Sequence, residues 1–274
     1  RMWQNPATMD AVEKLRGRGR FVMNPETGKL ASLHEGEGRL PKINKIMNAI
    51  RGLFKKELPL IGKKVLVSAG PTREAIDPVR YISNRSSGKM GYAFAEVARN
   101  LGANVTLVSG PVALPPIPEV EMIMVESALE MLNQLENSLD EKDADYLIMT
   151  AAVADYQPAN PSIQKLKRKK EYETLDLLPA PDILKTINSQ TNSTIIAFAL
   201  ETQNGIIEAK RKMADKGANF IVLNFANEDG AGFESNTNRV HIFSNNGNEK
   251  ELKKDRKDRI AKQIFDFVLL ENNR

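Results

Sequence analysis

Cysteine is absent from the 274 residues, which excludes disulfides, thiolate zinc sites and cysteine nucleophiles at once. Only two histidines occur, His34 and His241, so neither a histidine-rich metal centre nor a histidine relay is expected. Aromatic residues make up 6% of the chain, which counts against a base-stacking nucleic-acid surface. No apolar run approaches the ~20 residues that a membrane-spanning helix needs. The opening RMWQNPATMD carries no apolar segment of a signal peptide. These absences predict a cytoplasmic protein with neither membrane nor nucleic acid among its partners. What is left for chemistry is Lys, Arg, Asp, Glu, Asn and backbone amides. The net charge of +4 is mild and suits an anionic small substrate.

From Lys63 onward, apolar strands and amphipathic helices alternate. KKVLVSAG is a short β-branched run ending in Gly70, the pattern of a buried parallel strand. Over residues 88–100 the apolar positions Met90, Phe94, Val97 and Ala98 predict a helix, which Ser86 or Ser87 can cap at its start and Gly102 can end. Strands are then expected in ANVTLVSG, DYLIMTAA, STIIAFA and NFIVLN, with helices over ALEMLNQLENSL, from Asp182, and over GIIEAKRKMADKG. RVHIFSNNGNEKEL reads as a hairpin around Asn246-Gly247, followed by a helix over about 254–270. The expectation is an α/β, doubly wound, mostly parallel Rossmann-like sheet, with a C-terminal hairpin. Residues 156–178, with their run KLKRKK, are too long and polar for an ordinary connection and read as a flap. Residues 1–57 show no comparable buried-strand pattern, and a head without its own sheet buries little core. Two parts are expected, 1–57 and 58–274.

Ligands of doubly wound sheets bind at the carboxyl ends of strands, beside helix N-termini. The loop from Gly70 to the helix start at Gly88 and Lys89 lies there, and its stretch ISNRSSGKMG has the chemistry of an anion cradle. A dinucleotide fingerprint needs GxGxxG after the strand and an acid closing the second strand. Here Gly88 and Gly91 provide GxxG, and the second strand ends LVSGP. A Walker loop needs Lys followed by Ser or Thr, whereas Lys89 precedes Met90. Ser-Ser-Gly is equally compatible with a plain helix cap. TAAVADY places small residues and Asp155 at another strand end, where a packed corner with a solvated aspartate is the alternative. KLKRKK is compatible with a solvated charged face. Two readings from other classes stay open on these residues. One is an NAD(P)-dependent oxidoreductase, which would bind NADPH tightly. The other is a non-enzymatic nucleotide- or RNA-binding module, whose binding would fall steeply with salt and bring no turnover.

Taken in order, SAGPTREAIDPVRYISNRSSGKMGYAFAEVA, VTLVSGPVALP, TAAVADYQP, KLKRKK, PDIL and AFALET resemble the bacterial phosphopantothenate–cysteine ligases. These form the second activity of the bifunctional coenzyme A biosynthesis flavoproteins. The resemblance covers residues 58–270. RMWQNPAT, NPETGKLAS and GEGRL resemble the end of the fused flavin-dependent decarboxylase, whose FMN-carrying strands would lie upstream; no FMN is expected here. The resemblance implies a homodimer that uses CTP and Mg2+ to activate 4'-phosphopantothenate as an acyl-cytidylate, from which L-cysteine displaces CMP. It implies a catalytic role for Asn84 in the amide-forming step and for Lys165 on the nucleotide phosphates. It further implies nucleotide contacts from Gly70, Ser86, Ser87, Gly88, Lys89, Lys167 and Phe198, and from the backbone of Ala154, Asp155 and Tyr156. Asp155 would meet the ribose or the cation. Four positions depart from the family pattern. Ala197 and Leu200 alter GFAAET, Ala180 replaces a polar residue before PDIL, and Ser32 stands where the decarboxylase often has a cysteine.

Overall fold

The computed structural model describes residues 2–30, 34–54, 58–141, 143–167, 174–201, 205–225 and 235–272. Ser32 and the second half of the KLKRKK run, residues 168–170, lie outside them. The chain divides into two compact units, Arg1–Leu58 and Pro59–Arg274.

The first unit holds helix α1 (Pro6–Gly17), strands β1 (Glu26–Lys29) and β2 (Glu35–Arg39), and helix α2 (Ile43–Phe54). Asn5 starts α1, its side-chain oxygen accepting from the Ala7 N–H at 3.0 Å, and Pro6 follows at the position where a missing N–H costs nothing. β1 and β2 pair antiparallel, so the head does carry a small sheet, contrary to the sequence reading. Its residues are half-buried or exposed and none is fully buried, which leaves no apolar pattern to betray the strands. Helix α2 exposes Ile43, Met47, Ile50 and Leu53 along one stripe.

The second unit is an eight-stranded sheet covered on both faces. Its strands, in chain order, are β3 (Lys64–Ala69), β6 (Asn104–Ser109), β7 (Glu121–Met124), β8 (Tyr146–Met149), β11 (Thr194–Glu201), β12 (Phe220–Phe225), β13 (Thr237–Ser244) and β14 (Glu249–Arg256). Their spatial order is β14-β13-β12-β11-β8-β3-β6-β7. Pairing is parallel from β12 through β7 and antiparallel from β12 to β14, as the doubly wound reading requires. The β13–β14 hairpin turns at Gly247, whose φ of 89° explains the glycine. Edge strand β7 escaped the sequence reading because EMIM is short and half-exposed. Helix α6 (Gly205–Asp215) joins β11 to β12, and helix α7 (Lys257–Asn272) starts three residues later than expected, since β14 runs on to Arg256.

Side chains alternate across the sheet. Val65, Val67 and Ala69 pack with α3 (Lys89–Asn100) and α7, whereas Leu66 packs with α4 (Ala128–Glu141) and α5 (Ile183–Asn188). Two small antiparallel ribbons decorate the sheet's carboxyl edge: β4 (Arg73–Ala75) with β5 (Tyr81–Ser83), and β9 (Tyr156–Pro158) with β10 (Leu177–Pro179). The second ribbon is the base of the flap. The chain leaves β3 toward β6 and β7, then returns to place β8 on the other side of β3. That reversal opens a crevice beyond the carboxyl ends of β3 and β8.

Candidate active site

A cavity of about 670 Å3 occupies this crevice, a size suited to a nucleotide-scale ligand. Its walls come from the loop before α3 with that helix's first turn, the end of β8 with residues 150–155, residues 179–184, the end of β11, and single residues Lys216, Asn224, Asn238 and Lys257. Gly88 occupies the cap position of α3 in the left-handed region, φ 72°, with no side chain capping the helix. The expected serine cap is therefore absent. Instead the Ser86 hydroxyl accepts from the Gly88 N–H at 3.3 Å. A side chain at Gly88 would also press on Val112 Cγ1 at 2.8 Å. Three residues on, a Cβ at Gly91 would collide with Ala69 Cβ and with Thr150 Oγ1 at 2.5 Å. Glycine there lets the first turn of α3 sit directly on β3, and Gly88, Lys89, Met90 and Gly91 of that turn line the cavity.

The TAAVAD loop is tied to the first loop by several bonds. Pro71 and Ala152 form an isolated parallel bridge, the Ala152 N–H donates to the Gly70 carbonyl at 2.9 Å, and the Ala154 N–H donates to Thr72 Oγ1 at 3.0 Å. Asn84 Nδ2 donates to the carbonyls of Ala152 (3.1 Å) and Val153 (2.9 Å). The amide nitrogen of Asn84, to which the resemblance gives a catalytic role, is thus engaged in holding the neighbouring loop. Placing the amide oxygen there instead would set three acceptors against one another, so the hydrogen bonds themselves decide the orientation.

Residues 60–270 match the family described as the DNA/pantothenate metabolism flavoprotein C-terminal domain. The chain belongs to that family. Residues 1–55 match the family described as Flavoprotein. A relative from Vibrio vulnificus, the coenzyme A biosynthesis bifunctional protein CoaBC, is 39% identical over 268 residues, covering 96% of this chain and 66% of its own length. The chain thus spans just under two-thirds of that relative. A protein of an unknown prokaryotic organism, named cysteine/cysteine sulfinic acid decarboxylase, is 38% identical over 275 residues, with 98% of this chain and 76% of that protein covered. Among solved structures, the C-terminal domain of a coenzyme A biosynthesis bifunctional protein CoaBC superposes with a TM-score of 0.67 at 40% identity, covering 79% of this chain and 98% of that one.

In this family member the cavity brings together Asn84, Ser86, Gly88, Lys89, Ala154, Asp155 and Phe198. Phe198 is held edge-on to Phe94, ring centroids 5.5 Å apart. Gly70 does not line the cavity; its φ is 76°, and a side chain would meet the Gly110 carbonyl and Val112 at 3.0 Å, so it serves the packing beneath. Ser87 and Tyr156 also lie outside the lining, Tyr156 opening β9 with its ring exposed. Lys165 and Lys167 are exposed and stand away from the cavity walls. Their stretch is anchored by Asp77, whose carboxylate accepts from the Leu166 N–H at 3.1 Å. Among the described residues no group of three or more His, Asp or Glu converges as a metal cage, and none of the helices is long and apolar enough to cross a membrane. Sequence reasoning missed Lys257, Asn224, Asn238 and Lys216 in the lining. Lys257 opens a mixed-charge helix that reads as solvated, yet only 7% of it is exposed. Asn224 Oδ1 is buried without a hydrogen-bond partner among the described residues, an acceptor open to a ligand donor.

Proposed function

We propose that this chain joins 4'-phosphopantothenate to L-cysteine at the expense of CTP, giving 4'-phosphopantothenoylcysteine, CMP and pyrophosphate, and that it works as a cytoplasmic homodimer. The observation that carries the reading is the cavity itself. In a member of this family, the switch-point crevice is lined by a lysine, an asparagine, the open start of a helix and a loop of small residues. In the first step the substrate carboxylate attacks the α-phosphorus and pyrophosphate leaves. In the second the amine of cysteine attacks the acyl carbon, loses a proton and expels CMP.

Phosphoryl transfer asks mainly for positioning and neutralised charge. The helix start at Gly88 and Lys89, with Ser86, would hold phosphate oxygens. Lys165 and Lys167 would add charge when the flap closes and sheds water from the activated ester. The small residues 151–154 would let the cytosine approach the backbone, with Phe198 against the nucleotide. Asp155 offers a carboxylate at the cavity wall, a donor set suited to Mg2+ arriving with a triphosphate rather than to a metal caged by protein alone. When bound, that ion would neutralise charge on the transferring phosphate. Asn84 would turn one N–H from a loop carbonyl to the oxyanion of the tetrahedral intermediate during amide formation.

Pyrophosphate release with CTP, ATP or GTP, each with and without phosphopantothenate and cysteine, tests this. CTP should be far the best nucleotide, and release should require phosphopantothenate. Equal rates with all three nucleotides would remove the cytidine assignment. The relative named for cysteine decarboxylation supports a second reading, in which cysteine loses carbon dioxide. Carbon dioxide released from cysteine without any nucleotide would favour it.

A further inference from the structure

Helices α3 and α7 each begin with a lysine, Lys89 and Lys257, and both lysines line the cavity. Asn236 ties the two starts together: its backbone carbonyl accepts from the Lys257 N–H at 3.1 Å, and its side-chain oxygen accepts from Lys89 Nζ at 2.8 Å. This arrangement runs against ordinary helix electrostatics, since the positive end of a helix dipole favours acidic residues. The first turn of α3 contains no acid. In α7 the acid of the first turn, Asp258, shares its carboxylate between the helix's own backbone N–H groups and Arg256, with Nε–Oδ1 and Nη2–Oδ2 both 3.0 Å. Two positive helix ends and two ammonium groups thus meet at one cavity wall, and Lys257 is more than nine-tenths buried. Burying a charge beside a like charge is costly. Burial, and then the nearby Lys89, push the Lys257 ammonium down to about 8. A phosphate group fits this wall, because its negative charge offsets the repulsion between the two ammonium groups and its oxygens accept hydrogen bonds.

We propose that Lys257, coupled to Lys89 through Asn236, forms the anion subsite of the cavity and binds a phosphate group of the substrates. This rests on the ligase reading for the identity of the phosphates, which have two sources: the triphosphate and the phosphomonoester of phosphopantothenate.

Calorimetric titration of the whole chain separates them, with pyrophosphate and 4'-phosphopantothenate as probes, using wild type, Lys257→Met and Lys257→Arg. One probe should bind Lys257→Met at least about tenfold more weakly, as expected for losing a charge-assisted hydrogen bond. Lys257→Arg should keep most of the affinity, and the weakened probe names the source. Unchanged affinity of both probes for Lys257→Met overturns the subsite, as does a wild type that binds neither. Should Lys257→Met not fold, reductive methylation of wild-type protein supplies the readout. Either probe should then slow modification of Lys257, and modification unaffected by both overturns the proposal. The ligase reading fails separately. Phosphate binding through Lys257 without nucleotide turnover keeps the subsite and sinks the reaction. Full turnover by Lys257→Met with unaltered phosphate affinity does the reverse.

Discussion

The carboxylate of Asp77 accepts a hydrogen bond from the backbone N–H of Leu166, 3.1 Å away and 89 positions later in the chain. The same carboxylate takes the N–H groups of Val79 and Arg80 at 2.8 and 2.9 Å, and Arg80 Nη2 donates back to the Leu166 carbonyl at 2.8 Å. Leu166 stands between Lys165 and Lys167, so this latch ties that part of the flap to the loop between β4 and β5. The Arg80 guanidinium holds the Asp77 carboxyl well below the usual carboxylate range. A depressed folded value means the stabilisation is complete above the ordinary carboxylate pKa and is lost only as pH falls through the lowered one. Asp77→Ala should therefore speed hydrogen exchange at the Leu166 amide by about tenfold or more, whereas wild-type protection should persist at pH 4 after correction for intrinsic exchange. Equal exchange in the two proteins would show that the latch does not hold the flap.

Asn84→Asp keeps the shape of the side chain but places a carboxylate against the carbonyls of Ala152 and Val153, which now accept from the amide. Amide formation should fall by about 100- to 1,000-fold, the range for losing one oxyanion donor. Pyrophosphate release from CTP and phosphopantothenate should survive, so an acyl-cytidylate should accumulate. Mass spectrometry that finds product at the normal rate and no intermediate would refute the role.

Lys257 carries a stability cost. Its folded pKa is lowered to about 8 from the usual 10.5, so the native state disfavours the charged form. The cost is complete below about pH 8 and disappears as pH rises toward the unfolded value. Without ligand, Lys257→Met should gain about 1–3 kcal/mol at pH 7, and the gain should shrink in denaturant titrations at pH 10. A loss of stability at pH 7 would mean that the ammonium is well compensated in the native fold.

The proposed dimer has a direct check. Lys165→Gln should abolish nucleotide activation itself, unlike Asn84→Asp, because charge on the phosphates is missing. If Lys165 serves the nucleotide held by the other subunit, mixing the two inactive variants should restore one working site per heterodimer. Mixtures that stay at the level of either parent would place Lys165 in its own chain's site and end the shared-site model.

Much of this protein is legible in the sequence because the signals are local. Strand and helix periods set the β/α alternation, Asn246-Gly247 marks the hairpin, and an over-long polar connection marks the flap. The residues of the cradle, Asn84 to Lys89, are likewise neighbours in the chain. What the tertiary structure alone decided depends on contacts without a local signature. Asn84 meets carbonyls 68 and 69 positions away, and Lys89 meets Asn236 across 147 positions. Lys257 reads in sequence as one charge among many, and becomes a cavity residue only because β13 and β14 add antiparallel to the sheet and deliver α7 against α3. The head's small ribbon stayed hidden for the complementary reason, since its strands bury no apolar face. Side-chain pattern reports which face of an element is buried, but not which distant charges the folded chain brings together.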